Sequence, residues 1–116
     1  MIIKVLKSKI HRATVTEANL DYIGSISVDK ALLNAAKLQE HEKVHVLDIT
    51  NGSRLETYVI SSPANSGKIC INGAAAHLVS PGDKIIIVSY CSLEFNVAKA
   101  HAPNIVYVDD NNKIIN

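Results

Sequence analysis

The sequence predicts a small, mainly β barrel with one or two short helices, and three observations lead there. Its apolar runs are short, and most of them alternate apolar with polar residues as half-buried strands do. Turn signals separate the runs at close intervals. Hydrophobic residues make up 47% of the 116, yet Trp is absent and Phe occurs once, so the core must be built from Ile, Val, Leu and Ala. About seven short strands suit a closed barrel better than an open sheet. The interior of so small a barrel is filled by side chains, which sends any reactive site to the surface or between subunits.

Each element follows from local pattern. "IIKVL" (Ile2 to Leu6) and "ATVTEA" (Ala13 to Ala18) alternate as strands, and "SISVD" (Ser25 to Asp29) resumes after Gly24-Ser25. "DKALLNAAKL" reads as a helix with Asp29 as N-cap and Leu32, Leu33 and Ala36 on one face. "EKVHVLDI" and "RLETYVIS" flank Asn51-Gly52, a strong hairpin signal because both central positions of a type I′ turn need positive φ. "KICI" (Lys68 to Ile71) is a short strand, and "AAAHL" has the length of one helical turn. "KIIIVSYCSL" (Lys84 to Leu93), behind the turn "SPGD", is long and apolar enough to be buried on both faces. "EFNVAKAH" fits either helix or loop, "NIVYVDD" closes as a strand, and the tail "DDNNKIIN" carries no signal.

Charge and cysteine usage narrow the function. The formal net charge is +1, with acids and bases interspersed, which counts against nucleic-acid and membrane surfaces alike. No apolar run reaches transmembrane length, and Lys interrupts the N-terminal "MIIKVLKSKIHR" too often for a secretory segment. Cys70 and Cys91 lie in apolar stretches without a CxxC spacing, as reduced, buried thiols do. The expectation is a single cytoplasmic domain spanning residues 1–116.

Ordinary sources of reactivity are missing. There is no GxGxxG, P-loop, GxSxG or HExxH, and the five histidines show no metal-ligand spacing. His41 and His45 are four apart but straddle a helix-to-strand boundary. "YIGS" (Tyr22 to Ser25) leaves two readings open. Gly-Ser between alternating runs is a good two-residue hairpin turn. A serine can also attack its own preceding carbonyl, converting the peptide to an ester that eliminates to dehydroalanine and hydrolyses to an N-terminal pyruvoyl group. That route needs a strained peptide, a flexible residue to hold the strain and donors for the oxyanion.

Four segments, in order and spacing, decide between them: "KIHRATVT" (Lys9 to Thr16), "YIGS", "TNGSRLETYVI" (Thr50 to Ile60) and "NGAAAHL" (Asn72 to Leu78). Together they resemble the pyruvoyl-dependent aspartate 1-decarboxylases, over the chain as far as about Asn104. The resemblance implies a six-stranded double-psi β-barrel and a homotetramer with active sites between subunits. It implies a proenzyme that cleaves itself between Gly24 and Ser25, giving a β chain 1–24 and an α chain 25–116. It also implies a covalently bound pyruvoyl group made from Ser25, with neither metal nor PLP, that forms a Schiff base with L-aspartate. The α-carboxylate leaves as CO2, and the product is β-alanine for pantothenate and coenzyme A.

Residue roles are carried over position by position. Ser25 and Tyr58 are catalytic, Tyr58 as proton donor, since a phenol of pKa near ~10 keeps its proton at neutral pH. Lys9, Arg54, Thr57, Gly73, Ala74 and Ala75 contact substrate, the planar guanidinium of Arg54 suiting the side-chain carboxylate. Gly24, Ser25, His11, Tyr22, Thr57 and Asn72 serve self-processing. Thr57 and Tyr58, as strand neighbours, reach one site only where the strand is bent or twisted. Ile23 stands where relatives often carry an acid, and Leu47 where some carry an aromatic.

Each residue has an ordinary reading too. Lys9 and Arg54 could be solvated charges, His11 a core or capping residue, Tyr22 a staple on a hairpin and "NGAAA" a turn into a short helix. A non-enzymatic small β-barrel that binds DNA is the alternative function, and a hydrolase with Ser25 as nucleophile and His11 as base is a third reading.

Overall fold

The computed structural model describes residues 1–23 and 25–115, so the Gly24 side of the expected scissile bond lies outside the described residues. The elements run β1 (Ile2–Thr14), β2 (Glu17–Asn19), β3 (Ser25–Asp29), α1 (Lys30–Ala36), β4 (Lys43–Asp48) and β5 (Arg54–Ser62). Then come β6 (Ile69–Asn72), a 3-10 turn (Gly73–His77), β7 (Lys84–Glu94), α2 (Phe95–Ala98) and β8 (Asn104–Tyr107). The protein is mainly β with two short helices, as the sequence leads one to expect. Eight strands replace the expected six because β2 and β8, of three and four residues, add to the edges.

The strand order is β2-β6-β3-β5-β4-β7-β1-β8. Consecutive strands β1 and β2 therefore stand near opposite ends of that order although only Val15 and Thr16 separate them. The sheet must curl until its ends meet. Thr16 makes the join: its N–H and hydroxyl donate to Ile69 O, and the hydroxyl accepts from Ile69 N–H. Parallel pairs (β3 with β5, β2 with β6, β1 with β8) are interleaved with antiparallel ones, which gives the barrel-like wrap.

Inside the curl, Ile10, Ala13, Val15, Ile26, Val28, Val44, Val46, Val59, Ile69, Ile71, Ile85 and Ile87 are essentially inaccessible, and α1 adds Leu32, Leu33 and Ala36. At roughly 25 cal/mol per Å² of apolar surface, this aliphatic packing is the main driving force. No aromatic side chain takes part. All four Tyr and the one Phe are exposed.

Helix α1 begins where expected, with Asp29 accepting from Ala31 N–H, and ends at left-handed Lys37, whose strain is offset by Leu38 N–H donating to Leu33 O. Four expectations need correction. The first expected strand extends from Leu6 to Thr14, through bulges between Leu6 and Ser8 and between His11 and Ala13 that reset its alternation, and the second is divided between the end of β1 and β2. Only the first half of β7 is buried; Tyr90 and Ser92 are exposed. Cys91 is half-buried, whereas Cys70 is buried. The Asn51-Gly52 hairpin exists, but its loop runs from Ile49 to Ser53 because Asp48 Oδ1 gathers the Thr50 and Asn51 N–H groups.

The tail is part of the fold. Asn112 is buried; its amide accepts from Thr14 N–H and donates to Thr14 O and Gly67 O, tying the end of β1 to the loop before β6. Replacing it strands three backbone groups, so Asn112→Ala should cost about 2–3 kcal/mol. The check is the urea midpoint at fixed protein concentration; an unchanged midpoint removes the tail from the stability of the barrel.

A second test concerns Asp48, whose carboxyl pKa is raised by burial first and then by the neighbouring Asp83 carboxyl. Its Oδ2 has no donor among the described residues. A carboxyl whose folded pKa exceeds its unfolded one favours folding while protonated, and that contribution is lost as pH rises from the unfolded value through the folded one. Asp48→Asn keeps Oδ1 as acceptor and gives Asp83 a donor. It should raise the thermal midpoint at pH 7 by roughly 2–5 °C and flatten the stability profile over that acidic window. A profile identical to that of the parent would refute the assignment.

Candidate active site

Strand alternation decides what faces the site. Ile26 and Val28 fill the core, so Ser25 and Ser27 point to the other face of β3. Ile69 and Ile71 likewise turn Cys70 and Asn72 outward on β6, and the antiparallel register sets Ser25 opposite Asn72 and Ser27 opposite Cys70. On the other flank β3 runs parallel to β5 with Ile26 beside Val59, and one step earlier stand Ser25 and Tyr58. Tyr58 in turn faces Lys43 on β4. Asn72, Ser25, Tyr58 and Lys43 thus form one row across four strands.

At the centre of that row the backbone is strained. Ser25 has φ +109°, a region that side-chain-bearing residues rarely adopt. It is nonetheless almost fully buried, and its Oγ accepts from Asn72 Nδ2 at 3.1 Å. The same Nδ2 donates to Ser27 Oγ at 3.0 Å, while Asn72 Oδ1 accepts from the Cys70 thiol at 3.1 Å. Immediately after Asn72 the chain turns at Gly73, φ +68°, into the 3-10 turn, leaving Ala74 exposed and Ala75 half-buried. A cavity of about 100 Å³ opens beside this network, lined by Tyr22, Asn72, Cys70 and Ser27 with Glu17, Asn19 and Lys68.

The hairpin reading of "YIGS" needs β2 and β3 to pair, but they flank β6 on opposite sides. Tyr22 closes a turn with Asn19 O and borders the cavity.

The other expected residues lie elsewhere on the barrel. β1, which carries Lys9 and His11, is four places from β3 in the strand order. His11 Nδ1 is buried without a hydrogen-bond partner among the described residues, and the ring meets Tyr107 edge-on at 5.7 Å. Burial, then the charges of Lys9 and Arg12, lower its pKa, so it is neutral at pH 7. Arg54 shares the outer face of β5 with Tyr58 but is four residues along the strand, about 13 Å away. Its row runs through Leu47 and Ile86 to His11. Thr57 points inward beside Val44, because the β4–β5 register is continuous here and no bulge brings it round to Tyr58. One chain therefore unites Ser25, Asn72, Tyr58 and Tyr22, while Lys9, His11 and Arg54 occupy another wall.

A larger hollow of about 440 Å³ lies between Lys4, Lys43, His45, Glu56 and Tyr90. Its one carboxylate is already engaged, Glu56 lying 3.4 Å from Lys43 and 3.3 Å from His45, and none of its lining residues has a positive φ. Among the described residues no cluster of His, Cys, Asp and Glu could hold a metal ion. No helix is long and apolar enough to cross a membrane. Sequence reasoning missed Ser27 and Cys70. The period-2 rule would have found both, since each stands two residues from a site residue on a strand.

Comparison with known proteins gives this geometry its context. The family model described as aspartate decarboxylase matches residues 1–115. A protein of Caldicellulosiruptor saccharolyticus named aspartate 1-decarboxylase is 62% identical over 115 residues, covering 99% of this chain and 90% of its own. Proteins of the same name from Corynebacterium efficiens and Clostridium botulinum are 60% and 59% identical, covering 99% and 98% of this chain and 85% and 90% of theirs.

Proposed function

The chain belongs to the aspartate decarboxylase family, and from that premise we propose that it removes the α-carboxylate of L-aspartate to give β-alanine and CO2, feeding pantothenate and coenzyme A synthesis. The observation that carries the mechanism is Ser25, buried, strained at φ +109° and held at its Oγ by Asn72. Such strain persists only where the surroundings over-determine it, and it favours attack on the preceding peptide.

In that step Ser25 Oγ bonds to the Gly24 carbonyl carbon, the C–N bond breaks, and the hydroxyl proton ends on the freed nitrogen. Loss of the Ser25 Cα proton then expels the Gly24 carboxylate from Cβ, leaving dehydroalanine. Tautomerisation, addition of one water and release of one ammonia leave a pyruvoyl group at the head of chain 25–116 and a free chain 1–24. That group supplies a conjugated carbonyl to take up the electrons released with CO2. The residues around Ser25 fit it: small Ala74 and Ala75 leave room for substrate, and Tyr58 stands next in the row to return a proton to the α carbon.

Lys9 and Arg54 supply the cationic end, with neutral His11 beside them, and because the three lie on another wall we place the complete site between chains of a homotetramer. The exposed Tyr22, Tyr58, Tyr90, Tyr107 and Phe95 suit such interfaces. Arg54 grips the side-chain carboxylate, since strong pairing to the departing one would stabilise the ground state and oppose its loss. The DNA-binding alternative finds no support among the relatives, and with His11 and Ser25 on separate walls the hydrolase pairing lacks its geometry.

Denatured intact mass is the direct test. Two fragments dividing after Gly24 are expected, the larger lighter by one ammonia than a Ser-initiated chain; one uncut mass after prolonged incubation refutes the reading. Ser25→Ala should give an intact chain without β-alanine formation. Arg54→Ala should lower kcat/KM for aspartate by roughly 10²-fold and abolish preference over amino acids lacking the side-chain carboxylate. Unchanged selectivity would reassign the carboxylate to Lys9.

A further inference from the structure

We propose that Cys70 is a positioning residue for self-cleavage: its thiol fixes the rotation of the Asn72 amide, and so decides that an N–H rather than a carbonyl oxygen meets Ser25. The inference rests on the self-cleaving reading of Ser25 given above. Asn72 is buried and has three side-chain neighbours: Ser25 Oγ at 3.1 Å, Ser27 Oγ at 3.0 Å and Cys70 Sγ at 3.1 Å. Two of these are indifferent to the rotation, because a hydroxyl donates or accepts equally well. Turned by 180°, the amide would accept from both serines and lose nothing there.

Only Cys70 discriminates. A thiol is weak both as donor and as acceptor, but with its proton on Oδ1 as observed it favours that rotation over the one that brings Nδ2 to the sulfur. Burial, reinforced by Glu17 and opposed by Lys68, raises its pKa, so it keeps the proton it donates. Its other acceptor within reach, Ile71 O, is 3.9 Å away and cannot compete. β6 holds the relation fixed, because Cys70 and Asn72 share one face two residues apart and both are paired to β3.

The rotation has chemical consequences. With Nδ2 on its oxygen, Ser25 has its hydroxyl hydrogen turned away from Asn72, free to leave as Oγ attacks. With Oδ1 there instead, the hydroxyl hydrogen would be spent on Asn72. Among the described residues Cys70 Sγ makes no hydrogen bond to Ser25, so its influence on Ser25 passes through Asn72.

The test follows cleavage of the full chain by intact mass during incubation of freshly expressed precursor. Cys70→Val keeps the bulk and removes the donor; Cys70→Ala removes both; Cys70→Ser supplies a hydroxyl that satisfies Asn72 in either rotation. All three should slow cleavage by about twofold, because the two rotations become equally populated. Ser should do so while keeping the thermal midpoint of the parent precursor, whereas Val leaves Asn72 Oδ1 unsatisfied and should lower it. Cleavage of the Val and Ala variants at the parent rate overturns the inference while leaving the self-cleaving reading intact. So does a Ser variant that cleaves at the parent rate, because a hydroxyl does not choose between the rotations. A parent chain that never cleaves removes both readings together.

Discussion

The Asp29 carboxylate anchors the strand on which everything else in the site depends. Oδ1 accepts from the N–H groups of Ala31 and Asn65, and Oδ2 from that of Gly67. It therefore caps α1 and holds the loop before β6 at once. β3 is buried along its whole length and bonded on both flanks, so this clamp fixes its register against β5 and β6. Ser25 is the far end of the same five-residue strand. A slip of one residue would turn Ser25 into the core and Ile26 outward. With Asp29 pinned at one end and Asn72 gripping Oγ at the other, the backbone cannot relax its positive φ by sliding. Strain at one end is maintained by hydrogen bonds at the other.

Barrel closure distributes the remaining groups. Because β1 feeds directly into β2 across the join, the segment carrying Lys9 and His11 is covalently close to the "YIGS" segment but lies on a different wall. His11 sits just before the bulge at Arg12, whose φ of +66° makes it another strained point. That bulge lets Ile10 and Ala13 both face the core, although strict alternation would send one of them outward. Arg12 and Ser25 thus use positive φ differently. One keeps the core continuous through an irregular strand, and the other stands at the position proposed to react.

Much of this fold can be read from the sequence. The Asp29 cap, the apolar face of α1, the Asn51-Gly52 turn and the strand character of the runs all follow from local chemistry, and from β3 to β7 each element forms within a residue or two of its expected place. What could not be read is what depends on partners far along the chain. β1 looked like two strands because its bulges break the period that identifies a strand. Asn112, in a tail with no pattern, is buried by Thr14 and Gly67, the former ninety-eight residues earlier. The site divides the same way. Tyr58 joins Ser25 through a parallel pairing that no local rule reveals, whereas Cys70 and Ser27 follow by alternation once Asn72 and Ser25 are fixed on their strands. Thr57 obeys the same alternation and faces the core.

An aliphatic core with every aromatic residue outside has a final consequence. The interior of the barrel is filled, so the space beside Ser27, Cys70 and Asn72 is on the outer face, in the small cavity under Tyr22. Electrostatic interactions there are weak while water has access, and strengthen several-fold once it is excluded. Neither Tyr22 nor Tyr58 is covered within one chain. The wall bearing Lys9, His11 and Arg54 has the complementary need, since among the described residues neither Lys9 nor Arg54 is in a salt bridge and His11 is neutral. Apposition of these two faces from neighbouring chains would answer both needs. It would shield the Ser25 row from water and bring charge to meet the two carboxylates of the substrate, using surface that an isolated barrel leaves exposed. The same solidity that denies the protein an internal pocket makes assembly the natural way to build one.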